Sequence, residues 1–296
     1  MTYQPADISD DPETLPRMPA WVTSTSAETP EDVAFLSGAA LSHLHMVVTH
    51  ADVPQSLLRE RLALRAAEAC VARSGRIERA GELRDAVAFL QPSDNPGPAG
   101  EVILSWQRAV ERPVSAQALH RALPTLAPKQ IAEWLDAGQG GPVARSVSVL
   151  ETVLAEFPRE EGAALILAEA ALAQVLGWSH VLPLLVLGLK RADLRKAEAD
   201  LRLACHRAIV MAAAEVGRLA ADLARRAAHL KAVGPKLRAK GSDDAVAVFL
   251  SRDAIAPVAL TSLRSDRAAR RFCDRLVELG AARELTGRDT FRLYGI

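Results

Sequence analysis

Aromatic residues are scarce in this chain, since Trp, Tyr and Phe together make up 4% of its 296 residues. Cysteine is scarce too: Cys70, Cys205 and Cys273 lie far apart and form no CxxC pair. This excludes a disulfide framework and a zinc ribbon, and it fits a reducing compartment, so we expect a cytoplasmic protein. The 49% hydrophobic content excludes a disordered chain.

The chain also lacks the short motifs of common enzyme classes: it has no HExxH, GxSxG, P-loop or GxGxxG string. His43, His45 and His50 lie together in HLHMVVTH. On a helix, however, His43 and His50 would share a face while His45 points elsewhere, and acidic partners at ligand spacing are missing. We therefore expect no catalysis, no metal and no cofactor.

One apolar run is long enough to raise the question of a membrane span. The most apolar stretch, residues 170–189, is interrupted by Gln174, Ser179, His180 and Pro183. Its last part is too short to cross a bilayer, so a buried helix pair is the favoured interpretation. We expect no contact with a membrane.

The N-terminal segment contrasts with the rest of the chain. Residues 1–29 are polar, acidic and rich in Pro, Ser and Thr, which predicts a flexible acidic tail without a signal peptide. The run Thr29-Pro30-Glu31-Asp32 then has the signals of a helix start. Residues 30–192 are rich in Ala and Leu and never alternate with period two for long. They predict a helical domain of stacked, antiparallel helices.

Residues 193–234 predict one long connecting helix. Apolar residues recur at threes, fours and sevens from Leu194 to Leu230, Asp193 is a good N-cap, and Gly234-Pro235 stops the helix. A central bundle helix with a solvated charged face is the favoured interpretation. The alternative is a coiled coil through which the chain forms a homodimer.

Residues 235–296 combine three predicted short helices with the only clear strand signals of the chain. The third helix follows a cap at Ser265 and ends at Gly280, and strands at 282–285 and 290–294 then flank a turn. The string DRLVELGAARELTGRDTFRLYG resembles the recognition-helix end and wing of a winged helix-turn-helix module. The predicted fold is all-α, an irregular multi-helix bundle with a C-terminal winged helix-turn-helix that includes a small terminal β-hairpin.

The formal net charge of zero hides a division along the chain. Residues 1–179 contain 14 Lys and Arg against 23 Asp and Glu, whereas residues 180–296 contain 22 against 13. Such asymmetry indicates a nucleic-acid or other acidic partner for one end. Within residues 235–296 the balance is 12 bases to 8 acids, so this segment is modestly basic.

The winged-helix resemblance implies contact with double-stranded DNA. Recognition helices read bases with side chains from their N-terminal part, and arginine pairs with guanine edges. We expect Arg288 at the hairpin tip to be free to reach a phosphate. The predicted nucleic-acid contacts are Ser265, Arg267, Arg270 and Arg271 on the third helix and Arg283, Arg288 and Arg292 on the hairpin.

The predicted function is therefore non-catalytic DNA binding, regulatory or architectural. The alternative is a helical scaffold for protein–protein interaction whose winged helix binds protein. Asp266, Asp274 and Glu278 favour this alternative, because they share the arginine-bearing face of the third helix at helical spacing.

Longer strings extend the resemblance over nearly the whole chain. The strings AFLSGAAL, LRERLALRAAEACVARSGR, DNPGPAG, GPKLRAKGSDDAVAVFLSRDAIAP and SDRAARRFCDRLVELGAARELTGRDTFRLYGI are similar to a bacterial family known as domain of unknown function 1403. The likeness is closest after Gly234. It implies a shared fold and assigns no catalytic residues.

Overall fold

The structure is a computed structural model that describes residues 15–26, 29–91, 94–237 and 239–296. These residues form mostly helices, as the all-α prediction requires. The helices are α1 (Ala20–Ser24), α2 (Pro30–Val48), α3 (Gln55–Arg73), α4 (Ala80–Ala88), α5 (Gly97–Glu111), α6 (Ala116–Ala122), α7 (Pro128–Ala137), α8 (Pro142–Glu156), α9 (Glu161–Val175), α10 (Leu185–Gly188), α11 (Glu198–Val233), α12 (Ser242–Phe249) and α13 (Asp266–Glu278). Two short antiparallel strands, β1 (Arg283–Glu284) and β2 (Tyr294–Gly295), complete the fold.

The start of α2 shows why the helix boundaries could be read from the sequence. The Thr29 hydroxyl accepts a hydrogen bond from the Asp32 backbone N–H, and the Asp32 carboxylate accepts one from the Thr29 N–H. Pro30 occupies the first helical position, where no N–H is needed. This capping box satisfies donors that a helix leaves unpaired at its start.

The long helix α11 lies at the centre of the bundle. It has 36 residues, which corresponds to about 54 Å. Its buried side packs against α2, α3, α8 and α10, and Gly217 does not divide it. The favoured interpretation as a central bundle helix is therefore confirmed. Its exposed positions include Arg202, Arg207, Arg218 and Arg225, so a homodimer through this helix stays a prediction without structural support.

Two boundaries differ from the prediction near the chain's N-terminus and at the start of α11. Residues 20–24, placed in the flexible tail, form α1, and Val22 is buried in the core. Residues 1–14 of the predicted tail lie outside the described residues. Asp193 opens a separate 3-10 turn, because its carboxylate accepts from the Lys190 N–H and the Lys196 ammonium.

The second of the three short helices predicted within residues 235–296, which the sequence placed near 254–260, does not form, so this prediction is wrong. Only Pro257–Ala259 forms a 3-10 turn. The reason is that Ile255 is extended and pairs with Tyr294: its N–H donates to the Tyr294 carbonyl over 2.8 Å, and its carbonyl accepts from the Tyr294 N–H over 2.9 Å. Ile255, β2 and β1 thus lie side by side.

The terminal strands are shorter than the predicted 282–285 and 290–294. Leu285 still donates its N–H to the Leu293 carbonyl over 2.8 Å. Beyond it, the Glu284 carboxylate accepts from the backbone N–H groups of Thr286 and Gly287 and turns the chain away. Phe291 has a φ of 54°, which also interrupts an extended strand.

Ion pairs join the C-terminal segment to α3 and α4. Asp253 is 5% exposed, and its carboxylate pairs with the guanidinium groups of Arg84, over 2.6 Å, and Arg61. Arg61 also donates to the Ile296 carbonyl over 3.2 Å, and Arg252 contacts Glu60 over 2.8 Å. Residues 235–296 are therefore fixed against the helical domain.

Among the described helices, none combines the length and the apolar character that a membrane crossing requires.

Candidate nucleic-acid interface

Helix α13 presents one apolar side to the core and leaves the other open. Ala269, Phe272, Cys273 and Leu276 are buried, at the threes and fours that place them on one face. The helix begins after Ser265, whose hydroxyl accepts a hydrogen bond from the Ala268 N–H. Ser265 therefore acts as the predicted N-cap, and its hydroxyl is engaged in capping the helix.

Three arginines on the N-terminal half of α13 are exposed: Arg267, Arg270 and Arg271. Within the described ranges, none of them has a carboxylate oxygen within 4.0 Å. Unpaired guanidinium groups keep their donors available for phosphate oxygens or base edges. The structure thus brings together the three helix arginines that the sequence singled out.

Two of the three acids on α13 have partners other than these arginines. Glu278 pairs over 2.9 Å with Arg275, which lies about one turn before it on α13. The Asp274 carboxylate accepts from the Tyr294 hydroxyl over 3.3 Å. Asp266 is the first residue of the helix, where a negative charge is stabilised by the helix dipole. Although these acids share a face with Arg267, Arg270 and Arg271, they form no ion pair with them within 4.0 Å.

A groove follows one flank of α13 and has a basic lining that the sequence analysis missed. It has a volume of about 740 Å³ and lies between α13 and the segment after α11. Lys236 contributes from that segment, and Arg271 and Arg275 contribute from α13. The sequence showed the charge of Lys236, but no signal in it indicated that Pro235, Lys236 and Leu237 lie beside α13.

Arg288 is not free at the hairpin tip, so this expectation is wrong. Its guanidinium donates to both carboxylate oxygens of Asp85 on α4, over 2.9 and 2.7 Å, and to the Phe291 carbonyl over 3.0 Å. It also lies 5.7 Å from the centre of the Phe89 ring. The cause is the docking of the hairpin on α4, which places a carboxylate opposite the arginine in bidentate geometry.

The other two hairpin arginines differ from each other. Arg283 is exposed on β1. The pKa of Arg61 is lowered mainly by burial, against the opposing effect of Asp253, and the nearby charges of Arg84 and Arg283 lower it further. Arg292 is half-buried, and its Nε donates to the Arg288 carbonyl over 3.0 Å. Arg283 is therefore accessible, whereas Arg292 holds the hairpin in shape.

The flank of α13 that faces the hairpin has another character. A cleft of about 580 Å³ there is lined by the apolar side chains of Phe89, Val258 and Phe291 and by charges of both signs, from Asp266, Asp274, Asp289, Arg270 and Arg292. Phe291 is 70% exposed and Val258 66% exposed. Exposed apolar side chains of this size are features of a protein contact rather than of a DNA contact.

A serine and a histidine meet elsewhere in the bundle. Ser37 Oγ on α2 lies 2.5 Å from His206 Nδ1 on α11, and the Ser37 hydroxyl donates to the Ala34 carbonyl over 3.0 Å. Ser37 is only 1% exposed, so its oxygen is barely accessible, although Ser37 and His206 both border an open groove between α2 and α11. Burial lowers the pKa of His206, and nearby Arg202 lowers it further. We interpret this pair as a packing contact between α2 and α11.

Glu169 is a buried acid with a structural role. Its Oε1 accepts from the backbone N–H groups of Leu184, over 2.7 Å, and Val186, over 3.1 Å, at the start of α10. Burial raises its pKa to about 8, against the opposing effect of these hydrogen bonds. No group of three or more metal-ligating side chains occurs in the part of the chain that the structure describes.

Comparison with protein-family models gives a match over residues 6–296 to the family described as protein of unknown function (DUF1403). A search of curated proteins gave no match.

Proposed function

We propose that this chain, which belongs to the DUF1403 family, binds double-stranded DNA through residues 235–296 and catalyses no reaction. The observation that carries the proposal is the set of three exposed, unpaired arginines on the N-terminal half of α13. We place this regulatory or architectural role in the cytoplasm, on the basis of three free cysteines.

The order of the C-terminal elements supports a winged helix-turn-helix. Helix α12 is followed by the extended residue Ile255, a 3-10 turn, α13, and the terminal hairpin of β1 and β2. Tyr294 pairs with Ile255 on one side and Glu284 on the other, which gives three short extended segments beside α13. This is the order expected of a winged helix in which a 3-10 turn replaces the second helix.

The charges on α13 and in the adjacent basic groove support a contact with phosphate. Arg271 belongs to both surfaces, so a duplex that touched α13 would meet Lys236 and Arg275 as well. Phosphate contacts provide affinity and fix the register, while arginine on a recognition helix selects guanine. We therefore assign Arg267, Arg270, Arg271 and Arg283 to direct contact, Ser265 to capping, and Arg288 and Arg292 to holding the hairpin.

The test is binding of the full chain to a fluorescein-labelled random-sequence duplex, followed by anisotropy at several salt concentrations. We expect affinity to fall steeply with salt, and the Arg267→Ala/Arg271→Ala variant to reduce the log–log slope by about 2. The matched control is Arg207→Ala/Arg218→Ala, which removes two exposed charges from α11. No binding at about 50 mM salt, or an equal loss in the control, would overturn the proposal.

The cleft lined by Phe89, Val258 and Phe291 supports a second function, a scaffold that binds protein. A partner with an apolar anchor would fit the aromatic side chains of this cleft. Phe291→Ser should then weaken such a complex and leave DNA binding unchanged. If the DNA experiment fails, this function becomes the favoured one.

A further inference from the structure

An open groove in the helical domain has no role in the proposed DNA contact. It has a volume of about 610 Å³ and lies between α2, α11, the start of α8 and the residues after α9. This volume is in the range of roughly 300 to 1,000 Å³ that small-molecule sites occupy. None of its lining residues comes from the C-terminal segment.

The walls of the groove are largely apolar. Leu41 and Met46 contribute from α2, Val143 from α8, and Leu176 and Trp178 from the end of α9 and the loop after it. Met46 is 52% exposed, so its side chain is available to a ligand in the groove. These side chains provide a surface for the apolar body of a ligand.

The ionisable side chains that line the groove are all basic. They are Arg202, His206 and His45, and no Asp or Glu is among the lining residues. Arg202 is exposed, and within the described ranges no carboxylate oxygen lies within 4.0 Å of its guanidinium. A groove with an unpaired guanidinium and no acid favours a negatively charged ligand.

His45 adds a donor whose position is fixed. The Trp178 indole N–H donates to His45 Nδ1 over 2.9 Å. In the neutral imidazole the proton is therefore on Nε2, which can donate to an anion. The same hydrogen bond fixes the orientation of the Trp178 ring, so the aromatic wall is formed before any ligand arrives.

The start of α8 provides a further positive contribution. Residue Gly141 precedes the helix, Pro142 is its first residue, and no side chain caps the start. The backbone N–H groups of Val143 and Ala144 are among those that a helix leaves without an intrahelical acceptor, and both residues line the groove. The fifteen-residue helix directs the positive end of its dipole here.

We propose that this groove binds a small monocarboxylate with an apolar body. The carboxylate lies between Arg202, His45 and the start of α8, and the apolar body packs on Trp178, Leu176 and Met46. The ligand is an organic acid rather than an inorganic anion, because most of the lining is apolar. This site is independent of DNA binding by α13.

The experiment is isothermal titration calorimetry of the full chain with three probes of equal length: decanoate, decan-1-ol and decyltrimethylammonium. We expect saturable binding of decanoate, weaker binding of the alcohol and none of the cation. Arg202→Gln should weaken decanoate roughly tenfold, the effect of losing one charge-assisted hydrogen bond, and leave the alcohol unchanged. The matched control is Arg207→Gln, an exposed arginine of α11 outside the groove.

A second variant tests the groove itself without damaging the fold. A Cβ added at Gly38 would meet no atom within 4 Å, so the backbone accepts a side chain there, and we expect the leucine of Gly38→Leu to occupy part of the groove. We expect it to abolish binding of both decanoate and decan-1-ol while the melting temperature is kept. Absence of saturable decanoate binding, equal binding of all three probes, or an Arg202→Gln variant that binds like the wild type would each overturn the proposal.

Discussion

The guanidinium of Arg288 contacts both carboxylate oxygens of Asp85, over 2.9 and 2.7 Å, and thereby ties the terminal hairpin to α4. The two residues are separated by 203 positions in the chain. This pair holds an arginine of the suggested wing away from any duplex that approaches α13. It gives the first prediction about DNA binding.

Arg288→Ala should change DNA affinity less than twofold, because the guanidinium already has a protein partner. Asp85→Asn should raise DNA affinity about two- to fourfold, because it releases the Arg288 guanidinium for contact with DNA. The gain is small because both side chains of the pair are 38% exposed, and such a pair contributes at most about 1 kcal/mol. Anisotropy titrations at low salt measure both effects. Glu133→Gln, which removes one exposed negative charge from α7, is the control. A large loss of affinity in Arg288→Ala would show that this arginine contacts DNA directly.

Asp253→Asn should destabilise the protein by about 2 to 4 kcal/mol, because it leaves the mostly covered guanidinium groups of Arg61 and Arg84 without the carboxylate that pairs with them. Urea unfolding followed by circular dichroism measures this change. Asp289→Asn, on a fully exposed side chain, should cost less than about 0.5 kcal/mol. A loss below 1 kcal/mol for Asp253→Asn would contradict the assigned role of this ion-pair cluster.

Glu169 should make the stability depend on pH. Its pKa is raised from 4.5 to about 8 in the folded state, so unfolding releases a proton between these values. The free energy of unfolding should therefore fall as pH rises from about 4.5 to about 8, by up to about 1.4 kcal/mol per pH unit.

Glu169→Gln removes this titration, so the variant should gain stability relative to wild type as the pH is raised through that interval. Urea unfolding at several pH values follows the difference. Glu101→Gln, at an exposed position of α5, should show no such trend. A constant difference between Glu169→Gln and wild type would mean that Glu169 does not titrate there.

Local signals explain how much of the fold the sequence predicted. Thr29 and Asp32 cap α2 through hydrogen bonds within one turn, and Ser265 caps α13 in the same way. The unbroken apolar pattern from Leu201 to Leu230 predicted the length of α11, because helical periodicity can be recognised within the segment itself. Features encoded within a few turns of helix were therefore readable.

Features that depend on distant residues were not readable. Ile255 stays extended because Tyr294 pairs with it, and the sequence around Ile255 does not predict this pairing. Arg288 could be placed at a hairpin tip, but Asp85 lies more than 200 positions away. The groove beside α2 likewise needs Arg202 and Trp178 to meet, which only the packing of α11 and the loop after α9 decides.

The central position of α11 has a consequence for how the protein is made. Its packing partners α1, α2, α3, α8 and α10 all precede it in the chain, so they leave the ribosome first. Until residue 233 has been synthesised, the faces that these helices turn towards α11 have no counterpart, although α3 and α8 already pack on α5 and α9. A helix of this kind gains most of its stability from packing. Nascent chains that stop before α11 should therefore expose apolar surface and depend on chaperones, whereas chains that include it can close the bundle.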